Sequence, residues 1–368
     1  MVDISLNQVS LSGKSHKKEG FASAMSSVDG ISLTIKAGEF VTLVGPVNNG
    51  KTRMLRIIAG LTDPDSGTVY FNGKPLNEFS PTYDKIAMVF QSQALYPHLT
   101  VRKNLEFGLK MANLSRETIN ARISEITDLV GISSIMDIKP RELSGSQKQL
   151  AAIARAFVKR PQVLIFDEPL SELDSQLKVK IQSTIRRFCI NHQATVIYAT
   201  RNPSEAMTLG DRIVCMIDGK IQQIGTNHEL YNKPVNETVA RFISYPEMNF
   251  LEFDTVLENN ERMLHLVNAS CFIRIPQIFR EIINTYPKAK IGIRAENLKI
   301  VQEKPNTIPM VVEMQEYLGS QSILYVSHEH QTLAVEVPLS ESYELGETVY
   351  IELAENGIHL FADGKFII

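Results

Sequence analysis

The sequence predicts an α/β domain followed by a smaller all-β domain. The chain has 368 residues, which favours more than one domain. Through roughly its first two thirds, apolar runs of strand length alternate with stretches of helical periodicity, as in an open α/β sheet. From Phe250 onward, short β-rich runs separated by turn signals replace this alternation, and they predict a small all-β barrel.

One loop carries the clearest chemical pattern in the chain. Residues Gly45–Thr52 read Gly-Pro-Val-Asn-Asn-Gly-Lys-Thr and match the phosphate-binding pattern G-x-x-x-x-G-K-[ST]. A buried strand, residues 40–44, precedes this loop, and a helix is predicted over residues 53–59. Backbone N–H groups at the start of that helix would face an anion. The alternative, a plain glycine turn between a strand and a helix, does not explain why every fixed position matches.

The side chains of this loop predict the ligand. Lys51 is expected to reach the β- and γ-phosphates of ATP, and the Thr52 hydroxyl to bind Mg²⁺. Asn48 stands where many such loops have a glycine. Because asparagine adopts positive φ more readily than most residues, we expect the loop to keep its shape and bind nucleotide.

Other strands of the predicted α/β domain also end in polar residues. The apolar run 163–166 leads directly into Asp167 and Glu168, and the run 86–90 ends at Gln91. Ligands of open α/β sheets bind at the carboxyl ends of the strands, so these side chains are candidates for the same site. A further buried strand, residues 195–199, leads towards Arg201.

The N-terminal segment adds one candidate. Residues 1–44 are predicted to form antiparallel strands, with apolar residues alternating between positions 31 and 35. A polar, lysine-bearing loop, residues 12–20, leads to Phe21. The ring of Phe21 can either stack on an adenine base or pack as an ordinary core aromatic.

Composition limits the classes of protein. The formal net charge is −3, and Lys and Arg are spread along the chain, which argues against nucleic acid as the main partner. No run of about 18 apolar residues predicts a membrane span, and the N-terminus lacks the pattern of a secretion signal. Three widely separated cysteines favour reduced thiols in the cytoplasm.

A change in composition near residues 232–234 suggests the domain boundary. We expect a nucleotide-binding domain over residues 1–236, with a helical subdomain at about residues 92–160. Ser115–Val130 is predicted as one of its helices because isoleucine and valine recur there at helical spacing. Residues 237–368 are predicted to form the β-rich domain.

Taken together, these segments resemble the ATP-binding subunit of an ABC transporter of the sugar-importer type, as for maltose and glycerol-3-phosphate. The resemblance covers nearly the whole chain, and five motifs follow one another at fitting distances. It implies a RecA-like core with an antiparallel β subdomain and a helical subdomain, followed by an OB/TOBE-like barrel with a regulatory role. The matching segments are Walker A at 45–52, the Q-loop region at 89–101, the signature at 143–147, Walker B at 164–168, the D-loop at 171–174, the segment after the switch at 205–209, and tail segments at 248–251, 291–298 and 359–361.

The resemblance also implies how the site works. Two subunits would bind two ATP molecules between them, head to tail. Gln91 would contact Mg²⁺ and the attacking water, Asp167 would hold Mg²⁺ through water, and Glu168 would be the general base. Ser144 and Gly145 would contact the γ-phosphate bound to the opposite subunit. The other nucleotide-binding positions implied are Gly45, Pro46, Val47, Asn48, Asn49, Gly50, Ser146, Gln147 and Asp174.

Two residues depart from the family pattern. Ser146 replaces the second glycine of the signature, and Arg201 replaces the switch histidine. Histidine can donate at one ring nitrogen and accept at the other, whereas arginine only donates and keeps its proton. Arg201 can neutralise a γ-phosphate, but it cannot accept a hydrogen bond from water. The expectation is impaired hydrolysis at this subunit's own site, in a heterodimer with an intact-switch subunit; the alternative is that Arg201 is tolerated.

The resemblance implies partners and a location. They are two transmembrane permease subunits, a second ABC ATPase subunit and, indirectly, a solute-binding protein outside the membrane. The second ATPase subunit is either another copy of this chain or a different subunit with an intact switch. The chain would lie peripherally on the cytoplasmic face. Two other functions stay open: a nucleotide-gated clamp with little catalysis, and a soluble ABC ATPase of translation or DNA repair. The soluble class usually has tandem cassettes or long insertions, and neither occurs in this sequence.

Overall fold

The computed structural model describes residues 2–12, 27–78, 86–258, 261–267, 271–286, 289–354 and 357–368. Phe21, the candidate for adenine stacking, lies outside these residues. The chain divides into two compact units, Met1–Asn227 and His228–Ile368. The predicted boundary between residues 236 and 237 falls inside the second unit.

The described part of the first unit contains two sheets. One is antiparallel, with the strand order β2-β1-β4-β5, and the other is central, with the order β10-β9-β3-β8-β7-β6. Their strands are β1 (Ile4–Leu11), β2 (Val28–Ile35), β3 (Phe40–Val44), β4 (Ser66–Phe71), β5 (Lys74–Pro75), β6 (Ile86–Val89), β7 (Val163–Asp167), β8 (Thr195–Thr200), β9 (Arg212–Ile217) and β10 (Lys220–Gly225).

The central sheet is parallel except at one edge. Its strands β9, β3, β8, β7 and β6 run in the same direction, and β10 is antiparallel to β9. All residues of β3, β7 and β8 are buried, as expected for parallel strands covered on both faces. The prediction of antiparallel strands over residues 1–44 was therefore wrong for β3, whose own five residues carry no information about the direction of their neighbours.

Helices cover the central sheet and form a separate group between β6 and β7. Ser115 caps one of these helices, since its hydroxyl accepts from the backbone N–H of Thr118, and Gly131 ends the same helix with a left-handed backbone. The eight helices of the described residues are α1 (Lys51–Ile58), α2 (Val101–Met111), α3 (Arg116–Val130), α4 (Gly145–Phe157), α5 (Ser175–His192), α6 (Pro203–Leu209), α7 (Asn227–Asn232) and α8 (Glu237–Phe242).

Aromatic rings fix the packing of α4 against α5. The rings of Phe157 and Phe188 are stacked, with their centroids 3.8 Å apart, and Phe157 also meets the ring of Phe166 on β7 edge to face. All three side chains are buried in one apolar core that extends over α2 and α3. The helix that begins at Gly145 is thereby attached to the strand that ends at Asp167.

The second unit is predominantly β-structure, as the sequence predicts. Two antiparallel sheets, ordered β13-β12-β11-β14-β20-β21 and β15-β19-β16-β17-β18, share one apolar core. The strands are β11 (Asn249–Glu258), β12 (Glu261–Leu266), β13 (Cys271–Arg274), β14 (Ala289–Ile293), β15 (Leu298–Val301), β16 (Ile308–Tyr317), β17 (Ser322–His328), β18 (Gln331–Val337), β19 (Thr348–Leu353), β20 (Ile358–Ala362) and β21 (Lys365–Phe366).

None of the helices in the part of the chain that the structure describes combines the length and apolar character that a membrane crossing requires.

Candidate functional site

The loop between β3 and α1 has a backbone that its glycines make possible. A Cβ on Gly45 would lie 2.0 Å from the carbonyl oxygen of Met216, which no side chain can tolerate. Gly50 precedes α1 with a left-handed φ of 82°, a conformation that glycine adopts without strain. Asn48 has a φ of 61°, consistent with the predicted tolerance of asparagine at this position.

Asn49 attaches this loop to the rest of the sheet. Its Oδ1 accepts a hydrogen bond from the backbone N–H of Asp218 at 2.6 Å, and its side chain is buried. The sequence placed Asn49 among the nucleotide-binding residues. Nothing in the sequence near either residue predicts the contact of Asn49 with Asp218, since 169 positions separate the two residues.

Lys51 lies inside the loop. Its Nζ donates to the carbonyl oxygens of Gly45 at 2.7 Å and Pro46 at 2.6 Å, and the side chain is buried. Burial lowers the pKa of Lys51 from its ordinary value, while the charges of Glu168 and Asp167 oppose that shift. The loop therefore encloses a cation next to two carboxylates.

Thr52 and Asp167 form the oxygen-rich part of the site. The Thr52 hydroxyl donates to Oδ1 of Asp167 at 3.0 Å. Asp167 is only 4% exposed, and this burial raises the pKa of its carboxyl to about 6, although the hydrogen bond from Thr52 opposes the shift. A bound cation would stabilise the charged form of such a buried carboxylate.

The Thr52 and Asp167 oxygens fit Mg²⁺ in kind, because Mg²⁺ binds oxygen ligands and usually takes only one or two carboxylates besides phosphates and water. Among the residues the structure describes, no group of three or more His, Cys, Asp and Glu side chains is arranged to hold a metal ion by itself. The oxygens supplied by the chain are thus suited to a metal ion that shares its coordination with nucleotide phosphates.

Glu168 and Arg201 face each other across the ends of two strands. The Nε atom of Arg201 lies 2.8 Å from Oε2 of Glu168; the arginine side chain is 47% exposed and the glutamate 14%. Glu168 has a left-handed φ of 46°, and its N–H donates to the carbonyl of Ala199 on β8 at 2.9 Å. The sequence predicted both residues as catalytic candidates, but it did not predict that they form an ion pair.

Gln91 follows β6 at the same edge of the sheet. Because β6 pairs in parallel with β7, the ends of both strands point in one direction and Gln91 lies beyond the end of β6, beside that of β7. Its side chain is exposed. The structure therefore places Gln91 at the edge that carries Asp167 and Glu168. Among the described residues, no hydrogen bond joins Gln91 to either carboxylate.

The signature residues lie at the start of another helix. Ser144 caps α4: its Oγ accepts from the N–H of Gln147, and the Gln147 side chain accepts from the N–H of Ser144. The hydroxyls of Ser144 and Ser146 are hydrogen-bonded at 3.0 Å. Asp174 likewise caps α5 through its Oδ1.

Within the described residues, no hydrogen bond or ion pair links Ser144–Gln147 or Asp174 to the loop that contains Lys51. Val47 lies on the exposed side of that loop. The structure thus brings Lys51, Thr52, Asp167, Glu168 and Arg201 together in one cluster. It places Ser144–Gln147, which are exposed or half-buried, at the start of α4.

Fold and cluster define the class of protein. A phosphate-binding loop leads from a central parallel strand into a helix, and the next strands of the sheet deliver an acidic pair and an arginine beside its lysine. This combination is a P-loop nucleoside triphosphate site.

Comparisons with known proteins agree with this class. The family model described as ABC transporter matches residues 28–171, and the model described as TOBE domain matches residues 291–361. The sn-glycerol-3-phosphate import ATP-binding protein UgpC of Escherichia coli K12 is 36% identical over 335 residues, which cover 91% of this chain and 92% of that protein. The trehalose/maltose import ATP-binding protein MalK of Thermococcus litoralis is 40% identical over 314 residues, or 80% and 82% of the two chains.

A solved structure is also similar. The dimeric post-hydrolysis state of the ATP-binding cassette MJ0796, bound to ADP and Pi, superposes with a TM-score of 0.54 at 30% identity and covers 61% of this chain and 98% of that one. The chain belongs to the ABC transporter family, among its import ATP-binding proteins. It is an ABC-type ATPase that binds nucleotide.

Proposed function

We propose that this chain is the ATP-driven subunit of an importer for a carbohydrate or a related polar solute. The observation that carries the proposal is the cluster of Lys51, Thr52, Asp167, Glu168 and Arg201 at one edge of the central sheet. The names of the glycerol-3-phosphate and trehalose/maltose relatives supply the class of solute. The chain would act as a dimer on two permease subunits at the cytoplasmic face of the membrane, with a solute-binding protein on the other side.

Each residue of the site would have its own role in ATP binding and hydrolysis. Lys51 would bind the β- and γ-phosphates of ATP, and Thr52 and Asp167 would hold Mg²⁺, which supplies charge neutralisation when bound. Gln91 and Glu168 would orient the attacking water, with Glu168 as its proton acceptor. Ser144, Gly145, Ser146 and Gln147 would meet the γ-phosphate on the opposite subunit, because the N–H groups at the start of α4 are directed out of the helix.

Arg201 limits what Glu168 can do. One carboxylate oxygen of Glu168 accepts from Arg201 at 2.8 Å, so this oxygen is already occupied by a charged donor. Arg201 itself has no acceptor for the proton of the water. These two effects support a site that binds ATP and hydrolyses it slowly, in a heterodimer whose other subunit has the switch histidine.

The R201H variant tests this proposal directly. ATP turnover of the purified chain should rise by about 10²-fold, since a positioned proton-transfer group commonly contributes at least that factor. The matched control is R201K, which keeps the positive charge without an acceptor and should stay as slow as the unmodified chain. A turnover of the unmodified chain equal to that of R201H would contradict the impairment.

The second candidate function, a nucleotide-gated clamp, draws its support from the same ion pair. In a clamp Glu168 would have no catalytic role, so E168Q would leave the residual turnover unchanged while ATP still promoted association of two subunits. In the transport motor E168Q would abolish turnover, including that of R201H. Comparing E168Q in both backgrounds therefore separates the two functions.

The permease would dock on the helical part of the first unit. Among the described residues, Tyr96, Phe107 and Met111 expose large apolar side chains there, and the rings of Tyr96 and Phe107 lie 4.9 Å apart. Purification of the chain from membranes, followed by mass identification of every subunit, would test for two integral membrane proteins and a second ATPase subunit. Recovery of the chain without any membrane protein would argue against transport.

A further inference from the structure

A buried carboxylate follows Arg201 closely in the sequence. Glu205, in the first turn of α6, is only 8% exposed. Its Oε2 accepts two hydrogen bonds, from the Tyr198 hydroxyl at 3.1 Å and from the Thr200 hydroxyl at 2.9 Å. Within the described part of the chain, no ion pair supplies it with a cation. A carboxylate buried without a counterion is costly, so these two hydroxyl donors are the contacts that stabilise Glu205.

The two donors to Glu205 belong to the end of β8, immediately before Arg201. The Thr200 hydroxyl donates to Glu205 and at the same time accepts from the backbone N–H of Asn202 at 3.0 Å. Asn202 in turn caps α6, because its Oδ1 accepts from the N–H of Ser204 at 2.8 Å. The Thr200 hydroxyl therefore connects the residues on both sides of Arg201, and it is itself hydrogen-bonded to Glu205.

Glu168 is attached to the same short segment. Its N–H donates to the carbonyl of Ala199 at 2.9 Å, and Ala199 lies between Tyr198 and Thr200. Burial, together with the nearby charge of Glu205, raises the pKa of Tyr198 well above its ordinary value, which keeps its hydroxyl protonated as a donor. Glu168 is thus hydrogen-bonded to the segment 198–202 that contains Arg201, and Glu205 accepts two hydrogen bonds from the same segment.

We propose that Glu205 is a positioning residue for the pair formed by Glu168 and Arg201. Through the hydroxyls of Tyr198 and Thr200 it sets where the end of β8 lies relative to the end of β7, and it does so without contacting ATP. The inference rests on the proposed function as an ATPase. It does not depend on whether Arg201 slows hydrolysis, because the same network would position a histidine at that place.

Thr200 offers the sharpest test, because valine has nearly its shape and lacks its hydroxyl. T200V should lower kcat about 10-fold or more, as loss of outer support commonly does. The Km for ATP and the nucleotide affinity should stay within about twofold, because Lys51 and Thr52 lie on a different strand–loop–helix segment. T200S keeps the hydroxyl and should recover most of kcat, and E205A should reproduce T200V.

Turnover is measured in the unmodified chain or in R201H, whichever hydrolyses ATP faster, so the test holds whether or not Arg201 impairs hydrolysis. T184V is the matched control: it also removes a buried hydroxyl, one that donates to the carbonyl of Lys180 at 2.9 Å on α5. T184V should lower the free energy of unfolding without lowering kcat. Equal losses of kcat in T184V and T200V would overturn the proposal, as would an unchanged kcat in T200V.

A crystal structure of T200V adds a measurement that needs no turnover. The distance between Nε of Arg201 and Oε2 of Glu168, 2.8 Å with Thr200 present, should lengthen beyond hydrogen-bonding range, whereas T200S should preserve it. An ion pair unchanged in T200V would overturn the positioning role. If R201H and the unmodified chain both fail to hydrolyse ATP, the proposed ATPase function fails while this distance still decides the inference.

Discussion

Asn48 shows how a single residue can keep an uncommon loop functional. Its side chain is exposed and its φ is 61°, so the backbone conformation, and not packing, decides which residues fit. N48G should therefore bind ATP within about twofold of the unmodified chain. N48V should bind about 10-fold more weakly, because a left-handed backbone costs a β-branched residue roughly 1–2 kcal/mol.

Isothermal titration calorimetry with ATP measures the affinities of the purified variants. V47G provides the control: it changes an exposed position of the same loop whose φ is not left-handed. Equal affinities of N48V and N48G would show that the loop relaxes at this position without cost.

We expect Asp167 to make nucleotide binding sensitive to acid. Its carboxyl has a pKa raised by burial from 3.8 to about 6, so in the folded chain it gains a proton as the pH falls through about 6. The charge that would hold Mg²⁺ is then lost. Conversely, the contribution of Asp167 to the stability of the nucleotide-free chain is fully present below about 3.8 and is lost as the pH rises through about 6.

The expected result is a fall in affinity for Mg²⁺-ATP between about pH 7.5 and pH 5 that is steeper in the unmodified chain than in D167N. The terminal phosphate of ATP also gains a proton over this range, and D167N retains that effect, so the comparison isolates the carboxyl. Parallel pH profiles of the two proteins would show that Asp167 does not titrate in binding.

The residues of the site differ in how far the sequence could predict them. Lys51 and Thr52 belong to one continuous pattern that carries its own chemistry, and Asp167 follows a strand of recognisable composition. The ion pair of Glu168 with Arg201 joins residues of two different strands, and its geometry depends on the left-handed φ of Glu168. Neither that backbone conformation nor the register of β7 and β8 is encoded in a local pattern.

At the scale of elements, local signals predicted where α3 and β3 lie, but the prediction of antiparallel strands was wrong for β3. The helix expected over Ser115–Val130 is α3, because its first-turn cap and terminal glycine are both local features. The strand at residues 40–44 was placed correctly, yet its parallel pairing with β8 and β9 comes from partners more than 150 residues away. Strand direction is a property of the sheet, so a buried apolar run alone does not specify it.

Strand β20 of the second unit carries a half-buried histidine, His359, that makes this unit sensitive to acid. Burial, with a smaller contribution from the charge of Arg294, lowers the pKa of His359 from 6.5 to about 4. A lowered pKa means that the unfolded chain takes up the proton first. The contribution of His359 to stability is therefore present above about pH 6.5 and is lost as the pH falls towards about 4.

H359N should thus lose less stability than the unmodified chain between about pH 7 and pH 5, as measured by chemical unfolding at each pH. The control is H98N, which replaces an exposed histidine of the first unit and should follow the unmodified chain. A pH dependence of H359N identical to that of the unmodified chain would contradict this role of His359.

At the scale of the whole molecule, the two residues that depart from the family pattern, Arg201 and Ser146, lie in different parts of the first unit. Arg201 belongs to the cluster around Lys51, whereas Ser146 lies half-buried in the first turn of α4. In a head-to-tail homodimer each ATP would meet both departures, one from each subunit. In a heterodimer with an intact partner each ATP would meet only one of them, which leaves the partner's switch histidine opposite the signature of this chain.

Head-to-tail assembly predicts that two inactive variants of this chain restore each other. One variant combines R201H with G145D. The aspartate at position 145 would repel a γ-phosphate. Its Cβ would also lie 3.4 Å from Oε2 of Glu172, so it adds a negative charge beside an existing one. The other variant is K51M, which keeps the signature and loses the phosphate-binding cation. Each alone should be inactive, because every site of its homodimer contains one damaged half.

Mixed in equal amounts, the two variants should reach about a quarter of the turnover of R201H per chain, since half of the dimers are mixed and one of their two sites is intact. Turnover is followed by phosphate release after the mixture has equilibrated with ATP. A mixture of R201H/G145D with K51M/G145D serves as the control, because no pairing of these chains provides an intact signature. If the mixture of R201H/G145D with K51M is no more active than this control, the start of α4 does not complete the site of the opposite subunit.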